Sequence, residues 1–306
     1  MIYTITLNPS IDYYIKVDNI KLGDINRFDD YHYVAAGKGI NCSKVLNVLG
    51  IDSKAIYFSG NSTGKYIDRH LKEYPHISTC PIENISGATR INVKVIGNNE
   101  TAFNSIGPEI DENAKKDLLE IIDTFEEDDY MIISGSLAKN VDTDYVKQIC
   151  LKASERKTKV ILDVPNIKLD DLKQLDIYLI KPNIDEFRHL LDNDEIHFGN
   201  YRDYIHLLHE TNVENVLLSL GSKGAYYSGN GKKYEVTNPK VELYTSVGAG
   251  DSLLASFVGK IVTGSSVEEA LKYSGAVATA MVMSEDLPSL ESIEKVSSQI
   301  NLIEDI

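Results

Sequence analysis

A chain of 306 residues with 42% hydrophobic and 25% charged side chains is ordinary for a soluble globular protein, and long enough for one large α/β domain or two small ones. Its 46 acidic residues against 31 lysines and arginines leave a formal net charge of −15, which argues against nucleic acid and anionic membrane as partners, since both need a basic surface. Three cysteines (Cys42, Cys80, Cys150), odd in number and far apart, together with the lack of a leader-like or membrane-spanning run, lead to the expectation of a reduced, cytoplasmic protein.

In chain order, short β-branched runs at 2–7, 54–59, 130–134, 160–163, 177–180 and 216–220 predict buried strands. Amphipathic segments at 39–49 (closed by Gly50), 65–73, 114–125, 144–153, 184–191 and 201–209 predict helices between them. Two long helices follow at 250–262 and 267–283, the second opened by the capping box Ser266-Val267-Glu268-Glu269. Strand alternating with helix means an α/β fold with a mostly parallel central sheet covered on both faces. Two stretches break the alternation: 11–17 with 30–35, and 89–96 with 101–104, each a pair of strands with no helix between. Such strands fit poorly into a parallel sheet and predict a small separate sheet, a lid built from segments of about 11–35 and 88–105. With no linker, low-complexity tract or internal repeat, the expectation is a single domain over 1–306 carrying that lid.

Along the same path lie the segments that carry chemistry. Leu7-Asn8-Pro9-Ser10-Ile11-Asp12 ends the first strand, where ligands bind in parallel sheets, so Asp12 could accept hydrogen bonds from ligand hydroxyls; a turn-forming Asp after Asn-Pro is the plainer alternative. Ala35-Ala36-Gly37-Lys38-Gly39-Ile40-Asn41 is a glycine turn entering a helix, either a plain helix start with an exposed lysine or a ligand loop in which Lys38 and Asn41 supply charge and hydrogen bonds. Gly60-Asn61-Ser62-Thr63-Gly64-Lys65 resembles a P-loop but has one residue too few between its glycines and no following Ser or Thr, so it reads as a turn into a helix. No dinucleotide fingerprint follows a strand, and none of the seven histidines sits in a metal-ligand spacing; His206 and His209 read as surface or packing residues. The run Glu126-Glu127-Asp128-Asp129 reads as a solvated helix end.

Thr245-Ser246-Val247-Gly248-Ala249-Gly250-Asp251-Ser252 is the most informative stretch. Its glycines allow close approach to a ligand, and the helix behind it points free N–H groups and the positive end of its dipole at the loop, which makes an anion site. Asp251 would repel a phosphate there unless it takes a proton from an attacking hydroxyl; it could equally be a capping residue of an ordinary tight turn.

Taken in order, Gly37-Lys38-Gly39-Ile40-Asn41, Lys181-Pro182-Asn183-x-x-Glu186 and Gly248-Ala249-Gly250-Asp251 resemble the PfkB (ribokinase-like) carbohydrate kinases over essentially the whole chain. The opening Thr4–Asp12 and the segment Thr89-Arg90-Ile91-Asn92-Val93-Lys94 are most similar to the bacterial 1-phosphofructokinase branch, with tagatose-6-phosphate kinases close by. The resemblance implies a three-layer αβα sandwich with a β lid, and an enzyme that uses ATP and Mg²⁺ to phosphorylate a phosphorylated ketohexose, foremost fructose 1-phosphate. It implies Asp251 as base, with the N–H groups of Gly248, Ala249 and Gly250 as anion hole. Asp12, Gly37, Gly39, Asn41 and Asn104 would hold the sugar, while Asn183 and Glu186 would organise magnesium, partly through water, and the nucleotide phosphates. Ser219, Gly221 and Gly224 match the family's nucleotide loop; Lys181 and Asp163 fall near the phosphates, Asp163 as a further metal residue. Arg27, Lys38 and Arg90 are the cations expected to meet the substrate phosphate when the lid closes.

Three departures stand out: Ala36-Gly37 where the family has Gly-Gly, Thr245-Ser246 ahead of the anion hole where it has Asp-Thr, and Thr101-Ala102-Phe103-Asn104 where close relatives carry Thr-Glu-Ile-Asn. The last removes a lid glutamate and touches substrate contacts rather than the catalytic step. A carboxylate at a helix N-terminus is expected to be a weak base, because the dipole favours its charged form. A catalytically silent sugar-phosphate sensor on this fold would show damage at Asp251 or the anion hole, and both are intact. Exposed lid strands pairing between subunits lead to the expectation of a homodimer.

Overall fold

Residues 1–83, 85–97 and 100–305 are described by the computed structural model. The first half runs β1 (Ile2–Thr6), β2 (Ser10–Lys16), β3 (Tyr31–Ala36), α1 (Lys38–Val48), β4 (Ser53–Phe58), α2 (Asn61–Leu71), β5 (Ile77–Ile82), β6 (Arg90–Ile96), β7 (Glu100–Asn104), α3 (Glu112–Ile122), β8 (Tyr130–Ser134) and α4 (Thr143–Glu155). The second half runs β9 (Lys159–Asp163), α5 (Leu169–Leu172), β10 (Ile177–Ile180), α6 (Ile184–Leu191), α7 (His206–His209), β11 (Val213–Ser219), β12 (Ala225–Gly229), β13 (Lys232–Thr237), α8 (Ala249–Val262), α9 (Val267–Val282), α10 (Leu290–Ser297) and β14 (Asn301–Glu304).

The large sheet has the order β14-β13-β12-β11-β10-β9-β8-β1-β4-β5. From β5 to β11 every pairing is parallel, whereas β12, β13 and β14 are antiparallel additions at one edge. Side chains alternate between the faces, as a period of two requires. Tyr3 and Ile5, Met131 and Ile133, and Val160 and Leu162 enter one core with residues of α3 to α7. Ile2, Tyr130, Ile132 and Ile161 enter the other, with α1, α8, α9 and α10. Each such side chain contributes roughly 1.5–3 kcal/mol on burial, which is why strands buried on both faces read as continuous apolar runs. The architecture is the expected α/β sandwich of helix, sheet and helix.

The strands that break the alternation form the separate sheet β3-β2-β6-β7, with β2 and β6 parallel and the outer pairs antiparallel. Residues 98–99, inside the expected lid segment 88–105, lie outside the described residues. One face of this sheet is polar, carrying Ser10, Asp12 and Tyr14 on β2 beside Arg90, Asn92 and Lys94 on β6. The opposite face is aromatic: Tyr13 stacks on Tyr31 and Tyr33, with ring centroids 5.7 and 5.8 Å apart.

The sequence reading missed β5, α5, β12, β13, β14 and α10. It also joined 201–209 into one helix; the structure has a 3₁₀ turn at Tyr201–Tyr204 and then the single turn α7, an arrangement that buries Tyr201, Ile205 and Leu208 together. Among the described residues no helix is long and apolar enough to cross a membrane.

Candidate active site

The loops at the carboxyl ends of β1, β8, β10 and β11, the polar face of the small sheet and the start of α8 enclose a cleft of about 1070 Å³. Its centre is the N-terminus of α8. Gly248 takes φ 81° there, and a Cβ on it would sit 2.8 Å from Met281 Cε, so the turn needs glycine for conformation and for space. The first bond of the helix runs from Ser252 N–H to Gly248 C=O at 2.8 Å, which leaves the N–H groups of Ala249, Gly250 and Asp251 with no partner inside the helix. Among the described residues no side chain caps α8. The Asp251 carboxylate instead accepts from Asn41 Nδ2 on α1 at 2.8 Å, so the capping alternative is closed.

Burial, joined by the charge of Asp163, pushes Asp251 up to about 6, against the opposing pull of Asn41, Lys38 and Lys181. This runs against the expectation of a carboxyl kept a weak base by the dipole: at 6% exposure, burial raises it above its ordinary value.

Asp163, at the end of β9, is a charge hub. Its Oδ1 lies 3.3 Å from Lys38 Nζ and 3.2 Å from Lys181 Nζ, and its Oδ2 accepts from Ser134 Oγ at 2.8 Å. Lys38 also reaches Glu186 Oε1 at 3.5 Å. Burial works to lower the Lys38 pKa, but Asp163, Glu186 and Asp251 outweigh it and hold it raised. Asn183 and Glu186 form a reciprocal capping box on α6, with Asn183 Oδ1 accepting from Glu186 N–H at 2.8 Å and Glu186 Oε2 accepting from Asn183 N–H at 2.9 Å.

These oxygens bear on a magnesium ion, which prefers oxygen donors and keeps several of its waters. Asn183 and Glu186 spend one acceptor site each on the capping box, retain others and remain partly open, so they fit a cation held through water. Asp163 is less open: its side chain is 1% exposed and already accepts from two ammonium groups and a hydroxyl, which leaves it about one free acceptor site. Among the described residues no cluster of three or more His, Cys, Asp or Glu could hold a metal alone.

The cleft is lined by Lys181, Asn183, Ser219, Gly221 and Gly224, with apolar residues that include Val236, Val241 and Val282. Gly221 and Gly224 turn the chain from β11 into β12 at φ 60° and 101°. The cleft is lined as well by Gly37, Lys38 and Asn41 and by Asp12, Arg90, Asn92 and Asn104 of the small sheet. Arg90 donates to Asn8 C=O (2.9 Å), Ser105 C=O (3.2 Å) and Ser136 Oγ (3.0 Å), and among the described residues no carboxylate forms an ion pair with it.

Two expected sugar-side residues are placed elsewhere. Arg27 is exposed in the stretch between β2 and β3 and does not line the cleft. Gly39 faces β1: a Cβ there would meet Thr6 Oγ1 at 2.5 Å and Ile5 C=O at 2.7 Å, so its role is to let α1 pack closely on that strand. Sequence reasoning missed Asn92 and Lys94 as individual residues, although the alternation Arg90-Ile91-Asn92-Val93-Lys94 puts three polar side chains on one face of a strand. It also missed Ser134 and Ser136, which lie in no motif.

Residues 4–290 match the family described as pfkB family carbohydrate kinase. The chain is 32% identical over 302 residues to 1-phosphofructokinase of Bacillus subtilis, covering 99% of both, and 33% identical over 309 residues to D-tagatose-1-phosphate kinase of Bacillus licheniformis, again covering 99% of both. Among solved structures, phosphofructokinase-2 from Escherichia coli in complex with substrates and products is similar at a TM-score of 0.90 and 25% identity, covering 97% of this chain and 98% of that one. The fold is the ribokinase-like one the sequence resemblance implied. The chain belongs to the pfkB family of carbohydrate kinases.

Proposed function

We propose that this pfkB-family kinase moves the terminal phosphoryl group of ATP onto the free primary hydroxyl of a phosphorylated ketohexose, with fructose 1-phosphate as preferred substrate and fructose 1,6-bisphosphate as product. The observation that carries the reading is one juxtaposition: a buried carboxylate pushed up to about 6 stands at a helix N-terminus with three N–H groups free of helix partners. A base poised near neutrality and donors aimed at an anion are what phosphoryl transfer to an alcohol asks of a protein.

In this reading the sugar hydroxyl oxygen attacks the terminal phosphorus, the bond to the bridging oxygen of ADP breaks with its electron pair going to ADP, and the hydroxyl proton passes to Asp251. The N–H groups at residues 249–251 stabilise the charge on the transferring group, and Lys38 and Lys181 add positive charge beside it. Asn183 and Glu186 would hold a magnesium ion through water, whose charge offsets that of the phosphates. Gly221 and Gly224 let the backbone approach the nucleotide, and Asn41 orients the base.

Arg90 supports the phosphosugar end, because it lines the cleft and its fork rests on carbonyls and a hydroxyl, with no carboxylate as ion-pair partner among the described residues. Arg90→Ala is expected to raise the KM for the sugar phosphate about 10- to 100-fold, the equivalent of a charge-assisted hydrogen bond, with the KM for ATP little changed. An unchanged sugar KM would remove Arg90 from the phosphate site.

A second reading, phosphorylation of a tagatose phosphate, is favoured by the near-equal identities of 32% and 33% to the two curated relatives. ADP release over fructose 1-phosphate, tagatose 1-phosphate, tagatose 6-phosphate and fructose 6-phosphate separates the readings. The highest kcat/KM is expected with fructose 1-phosphate, and a preference for tagatose 6-phosphate would put the phosphate at the other end of the sugar. The outer lid face, which exposes Tyr31, Tyr33, Ile91 and Phe103, supports a homodimer through the lids, for which sedimentation at twice the chain mass is the expected result.

A further inference from the structure

Behind the cleft, the polar face of the small sheet holds an ion pair between Asp12 and Lys94. Lys94 Nζ lies 3.0 Å from Asp12 Oδ2, with the two side chains 11% and 12% exposed. The other carboxylate oxygen, Asp12 Oδ1, accepts from Asn92 Nδ2 at 2.9 Å and from Ser10 Oγ at 2.8 Å. The ammonium is fixed in turn: it donates to the Tyr14 hydroxyl at 3.1 Å and sits 4.9 Å from the Tyr14 ring centroid, while Tyr14 stacks on His32 at 4.6 Å. Burial alone would lower the Lys94 pKa; Asp12 and Tyr14 outweigh it and hold it above the ordinary lysine value, so the group is charged at neutral pH.

The register explains why Lys94 stays out of the cleft. Asp12 stands opposite Asn92 and Asn92 opposite Asn104, a row that lines the cleft; Lys94 stands opposite Tyr14, one row back, and does not line it. A buried carboxylate beside a site that must admit a phosphorylated sugar has two difficulties. Its charge repels the ligand, and neutral donors on one oxygen leave the other free to swing. A cation on the far oxygen answers both.

We propose that Lys94 is a positioning residue for sugar recognition: it clamps Asp12 Oδ2 and offsets its charge, so that Asp12 presents fixed acceptors to the sugar hydroxyls. The proposal rests on the phosphosugar-kinase reading above. It is tested on the full chain by steady-state kinetics with ATP and the four sugar phosphates, comparing wild type, Lys94→Met, Lys94→Arg, Asp12→Asn and the Lys94→Met/Asp12→Asn double variant. Lys94→Met is expected to raise the sugar KM by roughly 10- to 100-fold, with the KM for ATP held within about twofold and most of the loss recovered in Lys94→Arg. In the Asp12→Asn background the Lys94→Met effect should shrink to within about threefold, because there is no charge left to clamp. If Lys94→Met does not fold, Lys94→Gln carries the same expectation. A sugar KM within twofold of wild type, or a Lys94→Met loss that persists in full beside Asp12→Asn, overturns the inference while leaving the kinase reading standing. Wild-type protein that turns over none of the sugar phosphates refutes that reading, and the inference with it.

Discussion

Asp251→Asn is expected to lower kcat by a factor on the order of 10² to 10⁴, the usual worth of a positioned base, and at the same time to make the folded protein more stable at pH 7. The second effect follows from proton linkage. Asp251 titrates near the ordinary value of 3.8 in the unfolded chain and at about 6 in the folded one. Between those values the folded state binds more protons, so stability is fully present below 3.8, falls as the pH rises through 6 and stays reduced above it. The deficit at pH 7 is up to about 3 kcal/mol. Asparagine has no charge to desolvate and can still accept the hydrogen bond from Asn41. Thermal melts and initial rates on the same preparations check both halves. Turnover that survives nearly undiminished, or a lowered Tm, would count against Asp251 as a strained base. Wild-type kcat/KM should fall off below pH 6 as the carboxyl takes up its proton, and the residual activity of the variant should lack that limb.

Asp163→Asn carries the second large effect, in the opposite direction. Asparagine keeps an acceptor for Ser134 but leaves Lys181 buried with no carboxylate partner and Lys38 with only Glu186. Breaking a buried pair on one side typically costs about 3–5 kcal/mol, to be read from chemical denaturation. The same substitution removes a charge that raises Asp251 and frees two that lower it. The acid limb of the pH–rate profile should therefore move below 6. A limb that stays in place would mean that burial alone sets the base, and that the hub matters for stability only.

The parallel strands were legible because a strand buried on both faces must be apolar throughout, as Ile132 and Ile161 illustrate on one face and Met131 and Leu162 on the other. The edge strands were not. β13 alternates Lys232, Lys233 and Glu235 with buried Tyr234 and Val236, and reads as a polar turn until its partner β12 is in place. The small sheet was visible as strands without a helix, but its polar face was not, because which side of Asn92 and Lys94 meets Asp12 depends on the β2–β6 register. Gly39 is ambiguous for a related reason: a glycine in a ligand-like motif and one that lets a helix approach a strand look the same in one dimension.

By itself, the sequence determined the class of fold, the small separate sheet, the family and the carboxylate proposed as base. Each rests on local requirements, namely a period of two or 3.6, a glycine where φ is positive, and an acid at a helix start. Only the tertiary structure decided the partners. Asp251 with Asn41, Asp163 with Lys38 and Lys181, and Asp12 with Lys94 join residues that lie on different elements, far apart in the chain. It also decided the titration of Asp251, which is set by how much water is excluded around it, and that depends on packing from every direction at once.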